Sequence, residues 1–242
     1  MITVDFNRIA LPSGARILDI GCGSGRHTAA AYMHEGATVV GADLHMADLA
    51  EARERLLFHD ALSEHGGGNW GLAKADITHL PFADGRFDLI ICSEVMEHIP
   101  NETAALGELF RVLSPGGKMV VSVPRQLPER ICWRLSKAYR TTPGGHIRIY
   151  EKQALIGKLS NLGLAVIEHR YAHSIHTPYW WLKCLVGIDR TDSTPVNLYH
   201  RLLSWDIMKK PPLTRFIDRL LNPIIGKSLV VYLEKAAPQR SI

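Results

Sequence analysis

The chain has 242 residues, a formal net charge of +4, and 46% hydrophobic against 21% charged residues, which excludes a globally disordered chain and allows one domain with a substantial core. Its four cysteines show no C-x-x-C pair, which argues against a zinc site or a disulfide framework and favours reduced thiols in a cytoplasmic protein. The N-terminal residues lack the pattern of a signal peptide, and no apolar run reaches the roughly 20 residues that cross a bilayer.

The first predicted element is a short buried strand that turns directly into a helix. The strand is Arg16–Ile20, and glycines follow it at Gly21, Gly23 and Gly25. Glycine at these alternate positions permits positive φ and allows a ligand to lie against the backbone. The helix predicted over 25–35 would point free N–H groups at that ligand. A structural turn without a ligand is the alternative for this loop taken alone.

The spacing of these glycines separates two kinds of nucleotide loop. A dinucleotide-binding loop has the pattern G-x-G-x-x-G. This chain has the shorter pattern G-x-G-x-G, and Arg26 stands where the third glycine would be. The spacing therefore opposes a nicotinamide-dependent reductase.

Strands and helices alternate through the following hundred residues. This alternation predicts a parallel sheet that helices cover on both faces. The predicted strands lie at 37–42, 71–75, 87–92 and 118–123, with helices at 47–58 and 103–113 between them.

Acidic residues stand at the predicted carboxyl ends of the first three strands: Asp19, Asp43 and Asp76. In an open α/β sheet, this edge is where ligands bind. Asp43 follows Gly25 by 18 residues, close to where an acid that binds both ribose hydroxyls is expected. One such Asp alone is typical of a turn or a helix cap. Three acidic residues on one edge of the sheet, beside the glycine loop, indicate a ligand site.

The glycine loop preceded by Asp19 resembles motif I of the class I S-adenosylmethionine-dependent methyltransferases. The segments 80–99 and 111–121 are similar to the small-molecule branch of that family, which contains the ubiquinone and menaquinone biosynthetic methyltransferases. The resemblance covers 15–123, the predicted cofactor-binding half of a single domain spanning 1–242, and more weakly 145–150.

This resemblance implies a fold and a cofactor. The fold is a Rossmann-like α/β domain with a mostly parallel seven-stranded sheet of order 3-2-1-4-5-7-6, in which strand 7 is antiparallel. The cofactor is S-adenosylmethionine, with Asp76 near the adenine amino group. The predicted cofactor-binding residues are Asp19, Gly21, Cys22, Gly23, Gly25, Asp43, Leu44, Asp76, Ile77, Ser93 and Glu94.

Glu94, Glu97 and His98 follow the fourth strand at a spacing that would place them on one side of a helical turn. Three interpretations stay open. A similar Glu-x-x-Glu-His segment in the ubiquinone-pathway O-methyltransferases is associated with a divalent metal, and the side-chain types suit one. Alternatively, His98 is a general base, which is needed only if the acceptor loses a proton. The third interpretation is that the carboxylates cap a helix while His98 packs beneath the cofactor loop.

His146, Arg148 and Tyr150 alternate along a segment predicted to be extended, which would send them to one side. Near the cleft they could bind or activate an acceptor; otherwise Arg148 forms a salt bridge and Tyr150 begins a helix. We predict His98 and His146 as catalytic residues and assign no metal ligand. His27, at the start of the first helix, is expected to be a helix-terminus residue.

The pattern changes after the fifth strand. A helix is predicted at 151–161, a strand at 164–171 and a last strand at 228–234, so 174–227 must be an insertion. It includes helix-like segments at 198–208 and 213–221. In the second, one side is apolar and the other carries Arg215, Asp218 and Arg219; the apolar side consists of Leu213, Phe216, Ile217, Leu220 and Leu221.

The composition of the insertion suggests an apolar acceptor. Its tryptophans and leucines supply more apolar surface than a lid over a polar metabolite requires, which favours a lipid-like acceptor such as an isoprenoid or a quinone precursor. From Val196 onward there are eight Lys or Arg against three acidic residues, which favours peripheral contact with an anionic membrane. The alternative is that these residues pack the insertion onto the sheet.

Other partners and activities are disfavoured. The fourth strand ends in Cys92-Ser93-Glu94 and lacks the Asn/Asp-Pro-Pro-aromatic motif of amino-methylating enzymes, so we predict no nucleic-acid partner. The contender from another class is a non-catalytic interaction protein that binds through the C-terminal segment. The expected partner is a small-molecule acceptor, and the expected state is a monomer or a homodimer.

Overall fold

The computed structural model describes residues 1–237, which form one seven-stranded sheet of order β3-β2-β1-β4-β5-β7-β6. Strand β7 runs antiparallel to both of its neighbours, and the other strand pairs are parallel. The predicted strand order and the antiparallel last strand are confirmed. The strands are β1 Arg16–Ile20, β2 Thr38–Asp43, β3 Asn69–Lys74, β4 Phe87–Ser93, β5 Leu113–Pro124, β6 Leu164–Ala172 and β7 Ser228–Lys235.

Helices lie on both faces of this sheet. They are α1 Arg26–Tyr32, α2 Met46–Ala61, α3 Glu102–Val112, α4 Gln126–Leu135, α5 Lys137–Arg140, α6 Lys152–Asn161, α7 Thr177–Val186, α8 Thr194–Lys209 and α9 Pro212–Ile225. Helix α3 begins where the Asn101 side chain accepts a hydrogen bond from the Ala104 N–H, a standard N-cap.

The central strands alternate their side chains between two cores. Leu18 and Ile90 belong to one buried cluster, with residues of α3 and α6. Ile17 and Leu89 belong to the other, with residues of α1 and α2. Because both faces are buried, these strands are continuously apolar. The sheet is thus a rigid platform whose carboxyl edge carries the loops described below.

Two features differ from the sequence-based expectation. Strand β3 ends at Lys74, so Asp76 lies in the following loop, bridged to His79. Helices α4 and α5 occupy 126–140, where no element was predicted. The insertion over 174–227 consists largely of α7, α8 and α9, and no helix within residues 1–237 combines the length and apolarity needed to cross a membrane.

Helix α9 turns its polar side towards the protein. The Ser174 hydroxyl donates to Asp218 Oδ1 at 2.8 Å, and the Ser174 N–H donates to Asn222 Oδ1 at 2.9 Å. The opposite side faces solvent, where Leu213, Phe216 and Leu220 are 68%, 61% and 63% exposed. These three residues therefore do not pack the insertion onto the sheet, because the polar groups of the β6–α7 turn take up the inner side of the helix.

Candidate active site at the carboxyl edge of the sheet

The glycine loop between β1 and α1 is held by the neighbouring strand. The N–H groups of Gly21 and Cys22 both donate to the carbonyl of Ala42, at 2.8 and 3.1 Å. Gly25 has φ +73°, and a Cβ there would lie 2.8 Å from the Cβ of Ala52. Glycine is required at this position because α2 packs directly against the start of α1.

Asp43 joins the end of β2 to this loop. One carboxylate oxygen accepts from the Gly23 N–H at 2.9 Å, and the other accepts from the His45 N–H at 2.9 Å. Each carboxylate oxygen has a further lone pair, and Asp43 lines the cleft at this edge. The residue therefore fixes the loop and retains capacity to bind a ligand.

Asp19 is buried beneath the loop and does not line the cleft. It accepts a hydrogen bond from Thr28 Oγ1 at 2.6 Å. Burial raises the pKa of Asp19 to about 7, although the Thr28 hydrogen bond opposes the shift. Asp19 thus positions the first turn of α1 from below.

A cleft of about 750 Å³ opens beside the loop, a size typical of small-molecule sites. It brings together six of the predicted cofactor-binding residues: Gly21, Asp43, Leu44, Asp76, Ile77 and Glu94. The other five do not line it: Asp19, Cys22, Gly23, Gly25 and Ser93. Ser93 instead shares a hydrogen bond of 2.8 Å with Ser122.

Three side chains converge beside this cleft: Glu97, His98 and His146. Of these, His98 lines the cleft, whereas Glu97 and His146 lie behind its lining residues. The Nε2 atoms of both histidines lie 3.9 Å from Glu97 Oε1. Glu97 is fully buried, and neither of its oxygens has a hydrogen-bond partner within the part of the chain that the structure describes. Burial, and next the nearby Glu94 carboxylate, raise the pKa of Glu97 well above its ordinary value.

In both histidines, the hydrogen bond made by Nδ1 fixes the orientation of the ring and so the direction in which Nε2 points. His98 Nδ1 lies 3.0 Å from the carbonyl oxygen of Gly144, which can only accept, so Nδ1 donates. His146 Nδ1 lies 2.6 Å from Glu129 Oε1 and donates to that carboxylate. Each imidazole therefore presents its Nε2 lone pair to the centre of the cluster.

Glu129, on α4, is a site residue that sequence reasoning missed. Besides His146, it accepts hydrogen bonds from Trp133 Nε1 at 3.0 Å and from the Tyr139 hydroxyl at 3.3 Å. The residue is buried, and these three side chains are the hydrogen-bond donors to its carboxylate among the described residues. The Glu-x-x-x-Trp spacing on one helical face was the available signal, but without a predicted helix it could not be interpreted.

Arg148 and Tyr150 support the site from behind. Arg148 donates to the carbonyls of Met96 and Pro100, each at 3.0 Å. The Tyr150 hydroxyl donates to Glu102 at 2.7 Å. Both residues therefore brace the turn that carries Glu97 and His98, and neither lines the cleft.

His27 lies outside the cleft. Its Nε2 accepts from the Thr3 N–H at 2.9 Å, and burial lowers its pKa to about 4. The expectation of a role at the helix terminus agrees with this contact.

The Glu97, His98 and His146 cluster also fits a divalent metal ion. One ligand atom from each residue lies within 4.8 Å of the other two. A carboxylate and two imidazoles are a donor set that first-row divalent ions accept, and both imidazoles have the outer hydrogen bonds usual for metal ligands. The buried, unpartnered carboxylate is the observation that favours such an ion.

The chain is similar to known methyltransferases in sequence and in fold. A family model described as a methyltransferase domain matches residues 11–178. The chain is 36% identical over 117 residues to methyltransferase GfsG of Streptomyces halstedii, covering 48% of this chain and 40% of that protein. It is 35% identical over 128 residues to a demethylmenaquinone methyltransferase of Parafrankia sp. (strain EAN1pec), covering 49% and 50%.

A third relative is a ubiquinone biosynthesis O-methyltransferase of Pseudomonas fluorescens (strain SBW25), 32% identical over 117 residues and covering 48% and 47%. The chain thus spans about half the length, or less, of these curated relatives. A crystal structure of a putative methyltransferase from Bacillus halodurans C-125 shares the fold, with TM-score 0.62 and 19% identity over 94% of this chain and 95% of that one. The [4+2]-cyclase SpnF gives TM-score 0.62 and 19% identity, covering 96% and 78%.

Proposed function

Since this chain belongs to the class I S-adenosylmethionine-dependent methyltransferases, we propose that it transfers a methyl group from S-adenosylmethionine to a small, apolar acceptor. One observation carries the proposal: a single cleft is lined both by Asp43 and Asp76 and by His98. The two carboxylates suit a nucleoside, and the imidazole suits a reacting acceptor.

The cofactor is proposed to lie along the glycine loop. Asp43 would accept from the ribose hydroxyls with its remaining lone pairs, while Asp76 would lie near the adenine. Asp76 is oriented for this role, because its Oδ1 accepts from the N–H and the hydroxyl of Thr78, both at 2.8 Å. S-adenosylmethionine supplies an electrophilic methyl group on a sulfonium.

The residues around the acceptor would act mainly by positioning it. Holding two reactants in line is worth up to about 7 to 11 kcal/mol in ideal cases. Where the acceptor must lose a proton, the Nε2 atom of His98 or His146 would accept it, a step worth roughly 10² to 10⁴-fold. The Glu129 carboxylate would then stabilise the charged His146 ring, as carboxylates do in other His-carboxylate pairs.

Two features in and next to the insertion support an apolar acceptor. Trp180 lies 6.0 Å from the Tyr139 ring, and Tyr139 in turn lies 6.1 Å from His146. Aromatic side chains thus extend from the catalytic cluster towards the insertion. Beyond them, α8 and α9 expose apolar rows that include Leu202, Trp205 and Phe216. An acceptor with a long apolar part would be bound along this path.

The exposed row of α9 is proposed to lie on an anionic membrane surface. A helix with one apolar side and basic residues at its margins is typical of interfacial binding, and Lys209 and Arg219 are exposed near this row. Such a surface would deliver a lipid-like acceptor directly to the insertion. A second copy of the chain is the alternative occupant, which size-exclusion chromatography with and without vesicles distinguishes.

A divalent metal ion held by Glu97, His98 and His146 is a second candidate role for the cluster. Such an ion would bind an acceptor oxygen and lower its pKa. Calorimetric titration with Mg²⁺, Mn²⁺ and Zn²⁺ tests this directly. We expect binding to be lost in Glu97→Gln and retained in Glu151→Gln, a control on an exposed carboxylate. Equal heats of metal binding for the two variants would exclude a metal ion at this cluster.

The decisive experiment for the main proposal is calorimetry with S-adenosylmethionine, S-adenosylhomocysteine and NADH. We expect the two adenosyl ligands to bind and NADH not to bind. Asp43→Ala should abolish binding, whereas Glu51→Ala, on the exposed side of α2, should not affect it. If neither adenosyl ligand binds to the folded protein, the non-catalytic interaction protein becomes the better explanation. Radiolabelled methyl transfer to quinone and isoprenoid precursors then identifies the acceptor.

A further inference from the structure

A second cavity, of about 700 Å³, lies on the far side of the glycine loop. Its floor is formed by α1 and α2, and its wall by the β6–α7 turn and the ends of α8 and α9. It shares no lining residue with the cleft described above. The cavity is therefore separate from the cleft at the carboxyl edge of the sheet.

Positive charge surrounds the mouth of this cavity. The exposed side chains of Arg26, Arg55, Lys210 and Arg215 all line it. Arg215 is paired with Asp206, and Arg55 donates through Nε to the Ser24 carbonyl, which leaves its terminal guanidinium nitrogens available. Within residues 1–237, Arg26, Arg55 and Lys210 have no carboxylate at ion-pair distance. Three uncompensated cations on one cavity favour an anionic ligand.

Unused hydrogen-bonding groups lie at the base of the same cavity. His176 is 9% exposed and Asp206 1% exposed, and both line the space. Neither ring nitrogen of His176 has a partner among the described residues, and the same holds for Asp206 Oδ1. A buried polar group without a partner costs roughly 1 to 3 kcal/mol, so these groups point to a ligand with hydroxyl groups.

The two sets of groups define one ligand chemistry. Guanidinium and ammonium groups bind phosphate oxygens, while a neutral imidazole and a carboxylate oxygen can bind a hydroxyl. Burial keeps His176 neutral by lowering its pKa to about 4. Lys210 and Arg215 flank the connection between α8 and α9, the two helices with exposed apolar rows. The other residues that line the cavity are Met1, Ile2, Ala29, Ala30, Met33, His59, His173 and Ile207.

We propose that this cavity binds a polyol phosphate, a phosphate ester whose alcohol part keeps a free hydroxyl group. This polyol phosphate is either a soluble metabolite or the headgroup of a phospholipid. In both cases the phosphate contacts Arg26, Arg55 and Lys210, and the hydroxyl contacts His176 and Asp206.

Calorimetry with three probes tests the proposal: glycerol 3-phosphate, inorganic phosphate and sonicated phosphatidylglycerol vesicles, with phosphatidylcholine vesicles as the neutral reference. Glycerol 3-phosphate or phosphatidylglycerol should bind, and inorganic phosphate should bind more weakly. Binding of glycerol 3-phosphate supports a soluble ligand. Binding of the vesicles alone supports a headgroup if the cavity variant described below weakens it; vesicle binding that this variant leaves unchanged belongs to another surface.

Two double variants give the test its control. Arg26→Gln/Lys210→Gln should weaken binding by about tenfold or more, whereas Arg53→Gln/Arg86→Gln, which removes the same charge at exposed positions outside the cavity, should not. His176→Phe should abolish the preference over inorganic phosphate. Circular dichroism confirms that each variant is folded. Equal weakening by both double variants, or no binding of any phosphate probe, would overturn the proposal. Because no probe is methylated, these outcomes do not depend on the cofactor titrations.

Discussion

His146 Nδ1 lies 2.6 Å from Oε1 of Glu129, which precedes it by 17 residues and is carried by a different element. The same carboxylate accepts from the Trp133 indole and the Tyr139 hydroxyl. Three donors from three directions leave the carboxylate one orientation, and the imidazole follows it. The direction of the His146 Nε2 lone pair is therefore set by Glu129 on α4.

We expect Glu129→Gln to weaken catalysis without weakening cofactor binding. The amide keeps the shape of the side chain but removes the charge that stabilises a protonated His146, so transfer to a proton-bearing acceptor should fall by roughly 10² or more. The pH–rate profile should shift, and ¹⁵N NMR should show a change in the protonation of the His146 ring. Glu151→Gln serves as the control. An unchanged ¹⁵N spectrum would mean that Glu129 does not orient the ring.

Asp19→Asn should change how stability depends on pH. In the folded protein, burial raises the pKa of Asp19 to about 7, whereas an unfolded Asp titrates near about 3.9. Between these values the folded state binds the extra proton, so its contribution to stability is present at low pH and is lost as pH rises to about 7.

The Asn variant lacks this titration. Its free energy of unfolding, measured by urea without ligand at pH 5 and pH 8, should improve relative to the wild type at the higher pH by about 2 to 3 kcal/mol, because about two units of the titration window lie above pH 5. Parallel pH curves for the two proteins would show that Asp19 is not protonated in the fold.

Gly25→Ala and Gly23→Ala together distinguish the stability lost through overpacking from the stability lost through backbone strain. Both glycines have positive φ, but a Cβ at Gly25 would lie 2.8 Å from Ala52 Cβ, while a Cβ at Gly23 would meet no atom within 4 Å. Backbone strain alone should cost Gly23→Ala about 1 to 2 kcal/mol, and overpacking should add about 1 to 3 kcal/mol at Gly25. Equal losses in urea unfolding would contradict the close contact of α1 with α2.

The apolar row of α9 should be dispensable for folding. We expect Leu213→Ser/Phe216→Ser/Leu220→Ser to change the free energy of unfolding by no more than about 0.5 kcal/mol per residue, as at other exposed positions. The same variant should no longer float with anionic vesicles. Its control replaces three exposed apolar residues of α2, Leu57, Phe58 and Leu62, by Ser. Retained flotation of the α9 variant would exclude this row as the membrane surface.

The fold could be predicted because its signals are local. The apolar run of β1, the glycine spacing and the acids at the carboxyl ends of β1 and β2 each depend on a few adjacent residues. The antiparallel last strand came only from the family resemblance, since the pattern of Ser228–Lys235 contains nothing that fixes its direction.

The rest of the site depends on contacts between distant residues. Asp19 carries the expected sequence signal, yet it is buried under the loop, because depth beneath a turn has no pattern in the sequence. Glu129 meets His146 only because α4 lies against the segment that carries His146. The orientation of α9 follows from Ser174, whose groups need the polar partners Asp218 and Asn222, and periodicity alone assigns the apolar side to the interior.

The ends of the insertion meet in the sheet. Ala172, the last residue of β6, is the cross-strand partner of Ser228, the first residue of β7. Everything between them leaves and re-enters the domain at a single point, where a tight hairpin turn could close the same two strands. The three helices α7 to α9 can therefore be replaced as one unit without changing any strand pairing of the sheet. Protein engineers could graft an acceptor module at the same point.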